Sequence, residues 1–187
     1  MSPRAGAKSA KGQSMRTASA RTPRTLAELM VQALAMENEA AQRYADLADA
    51  MEAHNNREVA NLFRKMAVIE GKHAAQIMAE MGWKEAPPLP KIAWDDFEAP
   101  ETAPADEVHY LMQPYHALEI ALANEKRAER FFARLVRMAS VASVRKAARE
   151  LLAEEREHVA LIAAWMKKVP RPTKDWARDP DPPSYTD

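Results

Sequence analysis

Glu70 and His73 stand three residues apart, as do Glu155 and His158. On a helix, positions three apart lie side by side on one face, so each Glu-x-x-His pair can hold one metal ion. Such pairs arise by accident in a chain rich in Glu, and their context carries the weight. Glu37 precedes the first pair and Glu125 the second, each inside a long apolar-periodic segment. Each is followed seven residues later by an aromatic, Tyr44 and Phe132, which places Glu and aromatic on a shared face two turns apart.

The unit is therefore used twice: a helix with Glu and an aromatic, a turn, and a helix with Glu-x-x-His. Packing positions agree between the copies. Leu34, Leu47, Val59 and Ile77 correspond to Leu122, Leu135, Val144 and Ile162, with the difference in length absorbed near the first turn. A repeat of this kind argues against coincidence.

On these residues the chain resembles the ferritin-like superfamily of di-iron carboxylate bundles, and within it the rubrerythrin branch, over roughly residues 26–168. That resemblance implies an all-α, antiparallel four-helix bundle made of two helix-pair repeats joined by a long crossover. It also implies a ligand set of Glu37, Glu70, His73, Glu125, Glu155 and His158 around two iron ions, with Glu70 and Glu155 bridging. Mn or Zn also suits this donor set. Four converging carboxylates repel one another unless cations join them, and two divalent ions balance their charge. The implied activity is reduction of O2 or H2O2 with electrons from ferrous iron or from an external rubredoxin- or ferredoxin-like donor, in a homodimer.

Two further readings stand beside this one. The first is iron binding or storage with ferroxidase activity. Rubrerythrins usually carry another Glu three residues after the first ligand of the third helix, and here that position is Ala128. The second is a metal-free helical interaction module. Tyr44 has two readings as well, a catalytic hydroxyl that bonds a ligand or guides a proton, or an amphipathic core tyrosine. Phe132 has no hydroxyl and serves packing and water exclusion. Glu39, Glu129, Glu154 and Glu157 read as solvated charges, and His54, His109 and His116 as surface or loop residues.

Composition narrows the field. The absence of Cys excludes disulfides, thiolate nucleophiles and a rubredoxin-type iron centre within the chain, so redox turnover needs electrons from another molecule. The formal charge is zero, yet residues 1–24 hold six basic side chains and no acid, leaving the remainder acidic. That segment reads as a disordered tail; an Arg-rich transit peptide and a nucleic-acid arm are its alternatives. Without interleaved aromatics, six charges offer no specific nucleic-acid recognition. No apolar run is long enough for a membrane span and no secretory signal is evident, which points to a cytoplasmic protein.

The elements that must position these residues follow from caps and breakers. Thr25 and Glu28 form a capping-box pattern, so the first helix begins at about Leu26 and ends near Ala53 before His54-Asn55-Asn56. The second runs from about Arg57 to Met81 and stops at Gly82. Five prolines exclude a long helix over residues 83–105. A crossover of that length reaches up to about 75 Å, against roughly 38 Å for a 25-residue helix. Trp83, Trp94 and Phe97 are expected to pin it to the bundle. A short helix from Asp106 is expected to precede the third helix, which runs from Pro114 to about Ala139. Ser140–Ser143 turn the chain, and the fourth helix continues to about Val169. The bundle thus occupies residues 25–169. Residues 170–187 form an extended Pro-rich tail, lying on the surface through Trp176 and Tyr185.

Overall fold

The computed structural model describes residues 22–88 and 109–179. These form four helices, α1 (Leu26–Ala53), α2 (Arg57–Glu80), α3 (Pro114–Met138) and α4 (Ala142–Met166). No strand occurs among the described residues.

Local chemistry sets the boundaries. The Thr25 hydroxyl accepts the Glu28 N–H at 3.1 Å, but the Glu28 carboxylate accepts the N–H of Arg24 rather than that of Thr25, so the capping box is displaced by one residue. After α1, Asn55 takes a left-handed φ of 59°, which Asn tolerates better than most residues. Asn56 then caps α2 by accepting the Val59 N–H. At the other end of α2, Gly82 adopts a φ of 64°, and the Trp83 N–H reaches back to the Met78 carbonyl to close a Schellman turn. In α3 the His116 Nδ1 accepts the Gln113 N–H at 2.9 Å, immediately beside Pro114 in the first turn. Arg145 donates from Nε and Nη2 to the Ala139 carbonyl and so closes the end of α3. α4 ends at Met166, three residues before the expected Val169.

The short turns after α1 and α3 make two antiparallel hairpins. The Asn56 amide donates to the carbonyls of Tyr110 and Met112, at 3.2 and 2.6 Å, and ties the start of α2 to the segment entering α3. α2 and α3 therefore start at the same end and run parallel. The chain between them must return the length of α2, about 36 Å. This is the ferritin-like up-down-down-up order.

Two apolar clusters fill the bundle. One gathers Leu29, Leu34, Met36, Ile77, Phe132, Leu135, Val144 and Leu151; the other gathers Tyr44, Leu47, Val59, Phe63, Leu118 and Ile162. Repeat partners fall in opposite clusters: Leu47, Val59 and Ile162 lie in the second, while Leu135, Val144 and Ile77 lie in the first. The two hairpins are thus related by an approximate twofold that exchanges the ends of the bundle. Met30, Met36, Met51, Met66 and Met112 are buried, as expected of core fillers.

Trp83 packs on the first cluster, as expected of a residue pinning the crossover. Trp94, Phe97 and the short helix expected from Asp106 lie outside the described residues, at least through residue 108, as do the tail over residues 1–21 and Tyr185. Trp176 is held more firmly than an extended tail implies. It packs on the second cluster, with the rings of His116 and His109 at 3.8 and 5.4 Å. No helix of the described residues is long and apolar enough to cross a membrane.

Candidate metal centre

Each helix passes from one apolar cluster into the other, and at each passage the side chains turn polar. Glu37 lies between Met36 and Ala40, Glu70 between Met66 and Ala74, Asn124 and Glu125 between Ala121 and Ala128, and Glu155 and His158 between Leu152 and Ile162. The four carboxylates form one layer across the bundle, and all four are buried.

Within the layer the side chains sort into two groups, Glu37 with Glu70 and His73, and Glu125 with Glu155 and His158. In each, the ligand atoms lie within 4.8 Å of one another. His73 Nδ1 stands 3.1 Å from Glu70 Oε2 and 3.6 Å from Glu37 Oε2. His158 Nδ1 stands 3.3 Å from Glu125 Oε2 and 3.6 Å from Glu155 Oε2. The two imidazoles lie nearly parallel, centroids 4.4 Å apart. At 24% and 22% side-chain exposure they are the accessible edge of a layer whose carboxylates are closed to solvent.

The electrostatics are those of a site that needs cations. Burial raises the Glu37 carboxyl to about 7 and the Glu155 carboxyl to about 8, with neighbouring carboxylates adding to the rise against the opposing pull of His73 and His158. Burial alone lowers an imidazole, but Glu37 and Glu70 outweigh it at His73 and raise it to about 9. At His158, Glu125 and Glu155 do the same and raise it to about 11. Glu155 Oε2 is fully buried with no hydrogen-bond partner. A buried carboxylate oxygen without a hydrogen bond, among three more carboxylates and two imidazoles, fits a divalent cation and is costly without one.

Tyr44 is buried and its ring stacks on Phe63 at 6.0 Å. Its hydroxyl accepts a hydrogen bond from Asn124 Nδ2 at 3.0 Å, and Asn124 Oδ1 accepts from Arg127. Asn124 is a buried polar residue beside the layer that periodicity alone does not reveal. The signal for it lies in the repeat, where Asn124 takes the place of Met36 and Phe132 the place of Tyr44. Ala128 is fully buried in the first apolar cluster.

The remaining candidates lie outside the two ligand groups, although Glu154, whose carboxyl burial and Glu80 raise, feels the smaller opposing pull of the His73 and His158 imidazoles. Glu129 pairs with Arg156 at 3.0 Å, and Glu39, Glu154 and Glu157 are exposed. His54 lies beside Tyr110, while His109 and His116 bracket Trp176. A Cβ added to Gly71 would meet nothing within 4 Å, so this glycine does not serve close helix approach.

The family model described as rubrerythrin matches residues 28–168. A conserved protein from Magnetospirillum magnetotacticum MS-1, known from a crystal structure at 2.00 Å, is 36% identical, with 80% of this chain and 98% of that chain covered and a TM-score of 0.58. No curated protein matches the sequence.

Proposed function

The chain belongs to the rubrerythrin family, and from that premise we propose that it is a non-haem di-iron oxidoreductase reducing O2 or H2O2, with electrons from ferrous iron or an external rubredoxin- or ferredoxin-like donor. The observation that supports this reading is the layer of four buried carboxylates and two imidazoles, sorted into two like groups inside an otherwise apolar core.

Glu37, Glu70 and His73 would hold one iron ion and Glu125, Glu155 and His158 the other, with Glu70 and Glu155 as the bridging carboxylates. Mn or Zn would bind the same donors, because affinity does not follow biological use. A ferrous pair supplies two electrons to a single oxidant. The protein's own part is protonic and steric. Glu37, Glu155, His73 and His158 release protons when cations enter, so loading is linked to pH. The apolar clusters on either side keep water from the layer, which strengthens every electrostatic interaction inside it. Small oxidants enter past the two imidazoles at the exposed edge. Tyr44 contributes a hydroxyl at the margin of the layer that hydrogen-bonds the oxidant or carries a proton to it. The assembly proposed is a homodimer in the cytoplasm, with no membrane or specific nucleic-acid partner.

Ala128 favours a second reading. It leaves the centre with six ligands and an apolar neighbour where peroxide-reducing relatives place a further carboxylate. Such a centre suits ferrous oxidation linked to iron storage.

Anaerobic titration of the metal-free protein with Fe(II) tests both. Saturation near two ions per chain is expected. Addition of H2O2 or O2 together with a reduced rubredoxin then separates them, since sustained turnover marks the oxidoreductase and a single oxidation leaving ferric protein marks the ferroxidase. Binding near zero overturns the di-iron reading.

A further inference from the structure

Several exposed cations of the bundle are paired: Arg64 bridges Asp49 and Glu52, Lys146 meets Glu150, and Arg156 meets Glu129. Along α3 four are not. Lys126, Arg130, Arg134 and Arg137 are exposed, and none of them forms a side-chain ion pair or hydrogen bond among the described residues. Their spacing of four, four and three residues gathers them within an arc of about 80°, in a row about 16 Å long. Between its ends the only acid is Glu129, which Arg156 already holds from α4. The helix dipole accounts for Arg137 in the last turn, but its attraction for cations fades within that turn and does not reach Lys126 or Arg130. Like charges four residues apart on a helix repel, so the row is unfavourable by itself and is relieved by an anionic surface laid along it.

The row lies on the back of the helix that carries Glu125. Lys126 follows Glu125 directly, and the face opposite the row buries Ala128, Phe132 and Leu135. A partner seated on the row is separated from the carboxylate layer by α3 alone, about 10–12 Å across. The exposed imidazole edge belongs to α2 and α4, so oxidant and partner approach by different elements. The charge of the chain selects a compact partner. All 27 acidic side chains but only 21 of the 27 basic ones lie beyond residue 24, so an extended polyanion that overran the row would meet net negative charge. An acidic patch on a small protein matches the row in sign and length. Met138 and Val141, just past Arg137 in sequence and 57% and 38% exposed, supply apolar contact of the kind found inside protein interfaces. We propose that Lys126, Arg130, Arg134 and Arg137 are the docking surface for a small, acidic, one-electron carrier protein. Each docking passes one electron from the reduced carrier to the centre, and two replace the pair that H2O2 takes up with two protons in becoming two waters. This rests on the oxidoreductase reading above, whose external donor it places.

Fluorescence anisotropy of dye-labelled carriers tests this on the full chain, with and without iron, using an acidic rubredoxin and a plant-type ferredoxin as probes. Wild type is expected to bind at least one of them, less tightly as salt is raised. Arg130→Gln/Arg134→Gln weakens that binding about tenfold and Arg130→Glu/Arg134→Glu weakens it further. Lys65→Gln/Lys168→Gln, the same change of charge at two exposed sites off the row, leaves it within about twofold. The second-order rate at which the iron-loaded protein oxidises the reduced carrier falls in step. Ions bound per chain, and the rate at which H2O2 oxidises the ferrous protein, stay at wild-type values. Wild type that binds neither carrier overturns the inference, as do row variants that bind like wild type. A melting temperature that drops at low salt in Arg130→Gln/Arg134→Gln gives the row to the chain's own acidic stretch over residues 95–107 and overturns it too. So does row-dependent binding of a DNA duplex or of phosphatidylserine vesicles in place of the carriers. If wild type binds no iron, the di-iron reading fails by itself, and carrier binding to the metal-free protein still decides the docking surface.

Discussion

Glu37, Glu70 and His73 come from the first hairpin and Glu125, Glu155 and His158 from the second, and the two sets match residue for residue. Their surroundings do not match. His73 leans to the Glu on its own helix, at 3.1 Å, whereas His158 leans to the Glu on the neighbouring helix, at 3.3 Å, and stands 3.6 Å from Glu155 Oε2, which is left without a hydrogen bond. One flank of the layer is the apolar pair Met36 and Phe132; the other is the hydrogen-bonded chain Tyr44, Asn124 and Arg127. Donor sets of one composition can thus present two different environments to two ions. Part of the difference lies in the ligand groups themselves and part in flanking residues outside them.

The comparison breaks entirely if the two carboxylates proposed to bridge the halves are removed. Replacing Glu70 and Glu155 together by Ala is expected to lower bound iron from near two per chain to near zero, read by metal analysis after anaerobic loading. Retention of two ions would move the centre elsewhere. Single substitutions separate the halves. His73→Ala and His158→Ala are each expected to cost about one ion per chain, because each ion depends on one imidazole; loss of both ions from either variant would show that the halves load only as a unit.

The pH response tests the charge shared between them. The carboxyls of Glu37 and Glu155 are raised from 4.5 to about 7 and about 8, and His73 from 6.5 to about 9. In each case the folded state binds protons more tightly than the unfolded chain, so the associated stability is present at low pH and lost as pH rises through the folded value. The melting temperature of the metal-free protein should therefore fall between pH 5 and pH 9, on the order of 10 °C. Bound metal, which holds the carboxylates ionised, should flatten that slope. A metal-free protein whose melting temperature rises over the same interval would contradict the assignment.

The flanks are distinguished by adding a hydroxyl to the apolar one. Phe132→Tyr puts a phenol among Met36 and its apolar neighbours and is expected to cost about 2 kcal/mol in urea unfolding. Adding Met36→Asn should recover part of that loss by recreating the pair found on the other side. The smallest effect is a control one residue from a ligand. Gly71→Ala fills open space in the middle of α2 and should stabilise the chain by about 1 kcal/mol with iron content unchanged.

The four helices, their turns, the Glu-x-x-His pairs and the duplication were legible in the linear chain because each rests on short-range rules. A cap acts over three residues, a ligand pair over one turn of helix, and the Pro-rich stretch forbids a helix wherever it falls. Gly82 and Pro114 stand where such rules put them. Boundaries set by weak fraying were less legible, and α4 stops earlier than its apolar pattern suggests. That Trp176 would hold the tail to the bundle was legible from its type, but its partners His109 and His116 were not, because nothing nearby in sequence announces them.

What the sequence by itself determined was which residues can share a helix face, since a period of 3.6 residues is a local property of the backbone. Only the tertiary structure decided that four such faces meet in one layer, that the layer divides the core into two clusters, and that Asn124 donates a hydrogen bond to Tyr44. The physical reason is distance along the chain. The Tyr44–Asn124 bond joins residues 80 positions apart, a separation that no local rule spans.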